Sequence, residues 1–69
     1  MEKLKISLAS ARVNANMTQD EVAKEMHVSK NTIVNWEKGK VVPSLAVAEK
    51  LSRLYNIPLD NIRLPIVST

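Results

Sequence analysis

The run Thr18-Gln19-Asp20-Glu21-Val22-Ala23-Lys24-Glu25-Met26-His27-Val28-Ser29-Lys30-Asn31-Thr32-Ile33-Val34-Asn35-Trp36-Glu37 decides how the rest of this chain is read. It encodes two short helices joined by a tight turn. Thr18-Gln19-Asp20-Glu21 is a capping box. The Thr18 hydroxyl accepts the Glu21 amide, and the Glu21 carboxylate reaches back to the Thr18 amide. Asp20 and Glu21 also suit the positive end of a helix dipole. Val22, Ala23 and Met26 make one apolar stripe. His27-Val28 is the turn, and Ser29 is the N-cap of the next helix, Lys30 to about Lys38. Ile33 and Trp36 stand three apart and face the core with Val28. Lys30, Asn31, Val34 and Asn35 are left on the outer face. Small polar side chains on a convex helix are what a DNA major groove accepts. Gly39, the only glycine in the chain, stops the helix.

Outward from this stretch, the chain reads as all-α. Aromatic residues are limited to Trp36 and Tyr55, and alternating β-branched runs are scarce. Leu4, Leu8 and Ala11 recur at helical spacing and predict a first helix from about Leu4 or Ser7 to Asn14. Ser7 caps the later of these starts, and Asn16 tolerates left-handed geometry near the end. After a loop, Lys40-Val41-Val42-Pro43, Ser44 caps a fourth helix from Leu45 to about Tyr55. Its apolar stripe is Leu45, Ala48, Leu51 and Tyr55. Asn56 ends it. Pro58 fits the first turn of a short fifth helix, Pro58 to Arg63, with Leu59 and Ile62 inward. The tail Leu64-Pro65-Ile66-Val67-Ser68-Thr69 is more apolar than an ordinary frayed end. Trp36 and Tyr55 lie on apolar stripes, which assigns them to packing rather than base stacking.

Sixty-nine residues make one domain, 1–69, with a core over 4–64 and an apolar tail over 65–69. A chain this short buries only about 60% of its unfolded surface, so caps, local contacts or dimerisation must contribute. With no cysteine there is no disulfide, thiolate metal site or thiol nucleophile. No apolar run approaches the roughly 20 residues of a membrane span. The charged start Met1-Glu2-Lys3-Leu4-Lys5 leads into no signal-peptide core. The expected location is cytoplasmic. Ten basic against seven acidic residues give +3. Between Met26 and Ala48 the charges are Lys30, Glu37, Lys38 and Lys40. With Glu37 neutralised internally, that region is cationic and suits a polyanion. His27 has no Cys or second His partner, so it is a turn residue rather than a metal ligand. No cofactor or metal is expected. Glu21 and Glu25 have ordinary helical explanations, and no Gly-rich phosphate loop or Ser/His/Asp arrangement stands out, so catalysis is not expected.

Thr-Gln-x-Glu-Val-Ala, then Val-Ser, then Ile-x-x-Trp-Glu-x-Gly, then Pro-Ser-Leu, in this order and spacing, resembles the lambda-repressor/Cro-like (Xre-type) helix-turn-helix family. The match runs from about Leu4 to Leu64. The resemblance implies a five-helix DNA-binding domain with the helix-turn-helix at helices 2 and 3, dimeric DNA binding and transcriptional control. Two positions depart from the family. His27 stands where a turn glycine is usual, at a position that commonly needs positive φ. Ala11 stands where leucine is frequent, which thins the core.

The outer face of the third helix carries the expected base contacts: Lys30, Asn31, Val34 and Asn35. Asn31 and Asn35 are four apart. An asparagine bonds an adenine edge bidentately, Lys30 reaches guanine or phosphate, and Val34 touches a thymine methyl. The resemblance places base contacts at the same positions. Gln19 is expected on a phosphate, where family members also use it to brace a recognition-helix side chain. Ser29 and Thr32 are short hydroxyls available for capping or phosphate contact, and for Ser29 capping ranks first. Lys38 and Lys40 flank Gly39 and are expected on the DNA backbone. In the family the positions of Arg12 and Glu37 form a salt bridge between helices 1 and 3.

One recognition helix spans few base pairs, so a homodimer on a pseudo-palindromic double-stranded operator is expected. The chain is expected to lack the separate C-terminal dimerisation domain of many relatives. Leu64, Ile66 and Val67, with Leu59, Ile62, Leu4 and Ile6, are the candidate dimer surface; the tail folding back on its own core is the alternative. A small repressor of phage or bacterial type follows, with RNA polymerase contact through Asp20, Glu21 and Glu25 if it activates instead. The competing class is a protein-interaction module, an antitoxin or adaptor on the same bundle. Lys30, Asn31 and Asn35 weigh against it, because a protein-binding face more often carries apolar or acidic residues there.

Overall fold

Each described α-helix begins on a hydroxyl and ends beside a left-handed residue. The computed structural model describes residues 5–64. It contains α1 (Leu8–Asn14), α2 (Gln19–Met26), α3 (Lys30–Lys38) and α4 (Leu45–Tyr55), a 3-10 turn (Leu59–Asn61), and two short strands, β1 (Ile6–Ser7) and β2 (Ile62–Arg63).

Ser7, Thr18, Ser29 and Ser44 occupy the four N-caps. Their side chains accept the backbone amides of Ser10, Glu21, Thr32 and Val47, three residues on. Each bond satisfies a donor that the helix cannot, and is worth about 1 kcal/mol. Thr18 carries the full capping box, with Glu21 Oε1 accepting from its amide at 2.8 Å. At the other ends, Asn16, His27, Gly39 and Asn56 adopt φ of 59°, 57°, 77° and 56°. The amide of each bonds a carbonyl three residues back, and the amide of the following residue reaches one five back. This is the Schellman arrangement, which uses orphan carbonyls at a helix end. After α1, α2 and α4 the next residue is apolar (Met17, Val28 and Ile57) and packs on the core. After α3 it is Lys40, which is exposed.

The core is assembled from Leu8 and Ala11 of α1, Val22 and Ala23 of α2, Ile33 and Trp36 of α3, and Leu51 and Tyr55 of α4, closed by Ile62. Val22, Ile33 and Leu51 are its largest fully buried side chains. Each apolar side chain so buried contributes roughly 1.5–3 kcal/mol before chain entropy is counted. Ala11 and Ala23 have no side-chain bulk to hold neighbouring backbones apart. α2 and α3 pack on each other more extensively than any other pair of elements.

The structure corrects the sequence reading in two places and decides a third. Among the described residues there are four α-helices, not five. Leu59–Asn61 makes only a single 3-10 turn, because Ile62 and Arg63 leave it in extended conformation and pair in parallel with Ile6 and Ser7. The fold is therefore helical with a two-residue β-ladder that ties its two ends together. Ile6 and Ser7 are extended too, and of the two expected starts of α1 the later one holds, with the helix beginning at Leu8 behind its Ser7 cap. Leu45, read as the first member of the α4 stripe, is 66% exposed. It directly follows the cap, at the rim of the bundle, and the inner face begins at Val47 and Ala48. Val41 and Val42 of the preceding loop are exposed as well.

Candidate nucleic-acid interface

α3 has two faces with different occupations. Its inner side chains are Ile33 and Trp36, both buried. Its outer side chains are Lys30 and Asn31, exposed, and Val34 and Asn35, half-buried. No hydrogen bond engages the side chains of Asn31 or Asn35 among the described residues. Their amides keep donors and acceptors available, and a nine-residue helix about 13 Å long fits the major groove. Lys30 Nζ lies 3.9 Å from Asp20 Oδ2, with side chains 56% and 74% exposed. Such a surface pair is weak and yields easily to a stronger acceptor.

The hydroxyls at the start of α3 are occupied. Ser29 Oγ accepts the Thr32 amide at 3.2 Å and lies 3.0 Å from Thr32 Oγ1. Both serve the cap first. Lys38 and Lys40 are exposed on either side of Gly39. The left-handed turn at Gly39 sends the chain away from the helix axis, so the two cations stand at its C-terminal end.

Beneath this face lies a polar network that fixes α3 to the rest of the bundle. Arg12 Nε donates to Glu37 Oε2 at 2.7 Å, and Arg12 Nη2 to Glu37 Oε1 at 3.4 Å. Arg12 Nη1 donates to the Met17 carbonyl at 2.9 Å. Gln19 Nε2 donates to Glu37 Oε1 at 2.9 Å. The Arg12 and Glu37 side chains are only 15% and 8% exposed. α1, the first residue of α2 and the last turn of α3 thus meet at one carboxylate, and the Arg12 guanidinium also holds the α1–α2 loop through the Met17 carbonyl. The hydrogen bond to Glu37 raises the Arg12 pKa above its already high ordinary value, and burial opposes it. Tyr55 is pushed up to about 12, first by burial and then by the negative charge of Glu37. Gln19 therefore holds Glu37 through its nitrogen, and its carbonyl oxygen is the end left for other contacts. Neither the Met17 carbonyl nor the Lys30–Asp20 contact was foreseen from the sequence. Met17 supplies only a main-chain atom, which no residue type announces.

Among the candidate dimer residues, Ile62 is 4% exposed in the protein's own core and has no surface to offer a second copy. Leu59 and Leu64 are half-buried, and Ile6 packs partly against the core. Leu4, Ile66 and Val67 lie outside the described residues. Among the described residues no group of His, Cys, Asp and Glu could hold a metal ion, and no helix is long and apolar enough to cross a membrane.

The helix-turn-helix family model matches residues 8–62. An HTH-type transcriptional regulator of Archaeoglobus fulgidus is 47% identical over 51 residues, 74% of this chain and 72% of that protein. One of Methanocaldococcus jannaschii is 37% identical over 59 residues, 86% and 89% of the two chains. The cryptic phage CTXphi transcriptional repressor RstR of Vibrio cholerae is 42% identical over 48 residues, 70% of this chain but 43% of its own length. No solved structure matches the chain.

Proposed function

We propose, since this chain belongs to the Xre-type, lambda-repressor-like helix-turn-helix family of DNA-binding transcriptional regulators, that it is a repressor binding a pseudo-palindromic operator as a homodimer. The observation that carries this is the unoccupied outer face of α3. Its Asn31 and Asn35 amides lie opposite the buried Ile33 and Trp36 and make no hydrogen bond among the described residues. Asn31 and Lys30 read base edges near the start of α3, with Asn35 and Val34 one turn later. Lys38 and Lys40 neutralise backbone phosphates, and Thr32 and the Gln19 carbonyl end lie at the phosphate margin. Ser29 contributes its cap, and its hydroxyl adds a phosphate contact only if it shares that bond. The Arg12–Glu37–Gln19 network does not touch bases; it sets the angle at which α3 enters the groove.

Two copies read two half-sites about one DNA turn apart, and the dimer surface is formed by Leu59, Leu64, Ile66 and Val67. Repression then follows from occupancy, because a bound dimer blocks polymerase without further parts. The RstR repressor is a relative whose role agrees with this reading.

Selection of bound duplexes from a random double-stranded pool tests it, with a Lys30→Ala/Asn31→Ala variant alongside. An inverted repeat that the variant no longer enriches is expected. A pool without any enriched motif overturns the proposal of sequence-specific recognition. A monomeric mass in solution at tens of micromolar overturns the proposed dimer.

A further inference from the structure

An open groove of 440 Å³ runs between the end of α2 and the last turns of α4, lined by Glu25, Met26, His27, Lys50, Arg53 and Leu54. It shares no residue with the outer face of α3. Met26 and Leu54 form an apolar floor, half-buried and packed on the core. Lys50 and Arg53 stand three apart on α4, both exposed, and neither makes an ion pair among the described residues. Glu25 supplies one carboxylate against these two cations. A DNA backbone is a poor occupant, because phosphate gains nothing from the apolar floor. A second copy is a poor occupant too. A stable interface needs about 800 Å² from each partner, whereas a groove of this size seats one or two side chains, near the low end of ligand pockets.

We propose that this groove docks a short acidic segment of a partner protein, which buries one apolar side chain on Met26 and Leu54 and sets flanking carboxylates against Lys50 and Arg53. An amphipathic helix presents this combination, an apolar anchor with charges one turn away. The groove adjoins His27, the left-handed hinge between α2 and α3.

The test is amide chemical-shift mapping of the full chain, titrated with a synthetic helical peptide carrying leucines four apart flanked by glutamates. A peptide with lysines in place of those glutamates serves as control. The expected result is shifts confined to residues 25–27 and 50–54, no binding of the lysine peptide, and at least roughly tenfold weaker binding by a Lys50→Glu/Arg53→Glu variant. That variant is expected to keep wild-type thermal stability and wild-type enrichment of the operator motif, which separates failure of the groove from failure of DNA recognition. Shifts elsewhere, equal binding of the lysine peptide, or no binding at millimolar peptide each overturn the proposal.

Discussion

The inner and outer faces of α3 differ in what they answer to. Ile33, Trp36 and Glu37 answer to the fold: two are buried among apolar neighbours, and the third is held by Arg12 and Gln19. Among the described residues, the side chains of Lys30, Asn31, Val34 and Asn35 make no hydrogen bond or ion pair except a long, exposed contact from Lys30 to Asp20, though Val34 and Asn35 are half-buried. A single nine-residue helix therefore carries two separable sets of instructions. Stability and specificity are therefore divisible in α3, and substitutions on the two faces are expected to move different measurements.

The largest effect is expected at Trp36. Trp36→Ala removes the biggest side chain of the core and leaves a cavity, at a cost of about 3–5 kcal/mol. In a domain this small that is most of the stability, so urea denaturation should show a largely unfolded chain. A folded variant with an unchanged midpoint would break the division of the two faces at its strongest point. Glu37→Ala follows, at about 3 kcal/mol. The loss arises because the Arg12 guanidinium stays behind, nearly buried, without its carboxylate. Glu49→Ala on the exposed face of α4 is the control and should shift the midpoint little. Equal shifts in the two variants would mean that the network contributes no more than a surface pair.

Asn31→Ala is the reciprocal case. Its side chain is exposed and holds nothing in the fold, so the melting temperature should stay put. Binding should weaken by about 1–3 kcal/mol, with discrimination lost at one position of each half-site. Uniform weakening across all sequences would reassign Asn31 to the DNA backbone. Lys38→Ala should weaken binding to every sequence alike and reduce the salt dependence by about one phosphate contact.

How much of this was legible depended on the range of the interaction. The caps Thr18, Ser29 and Ser44, and the stops at Gly39 and Asn56, act within three to five residues. They marked α2, α3 and α4 closely. The end of the chain failed for the same reason. Pro58-Leu59-Asp60 is a locally sound helix start, but Ile62 and Arg63 pair with Ile6 and Ser7, more than fifty positions away. No local periodicity encodes that pairing. Leu45 was misplaced because a stripe of spacing three, three and four can be extended backward past the rim of the core. Arg12 and Glu37, 25 positions apart, became a pair only through family resemblance. The groove between α2 and α4 left no trace in the sequence, since its walls come from two separated segments.

Tyr55 extends the comparison to pH. Its folded pKa is raised to about 12 from an ordinary 10. Folding therefore disfavours the ionised phenolate. The contribution of Tyr55 is fully present below pH 10 and is lost as pH climbs from 10 towards 12. Allowing for partial solvent screening, the loss is about 1–2 kcal/mol. Tyr55→Phe should flatten the decline of stability across that window relative to the native chain. An identical decline in both would show that the lysines, not Tyr55, carry the alkaline loss.

The smallest expected effect lies at the turn that joins the two helices. His27 holds φ of 57° with a β-carbon in place, a geometry that costs a non-glycine residue about 1 kcal/mol or more. His27→Gly relieves this, yet glycine also gives the unfolded chain more freedom to lose, which offsets roughly 0.5–1 kcal/mol. The net gain should be a few tenths of a kcal/mol. Asn56, at φ of 56°, tolerates the same region through its short amide. Asn56→Gly should therefore gain less than His27→Gly, or lose stability outright. Because His27 lies off the outer face of α3, operator affinity should be unchanged by its replacement. A stabilised variant with altered operator affinity would mean that the turn, and not only the Arg12–Glu37–Gln19 network, sets the angle of the reading helix.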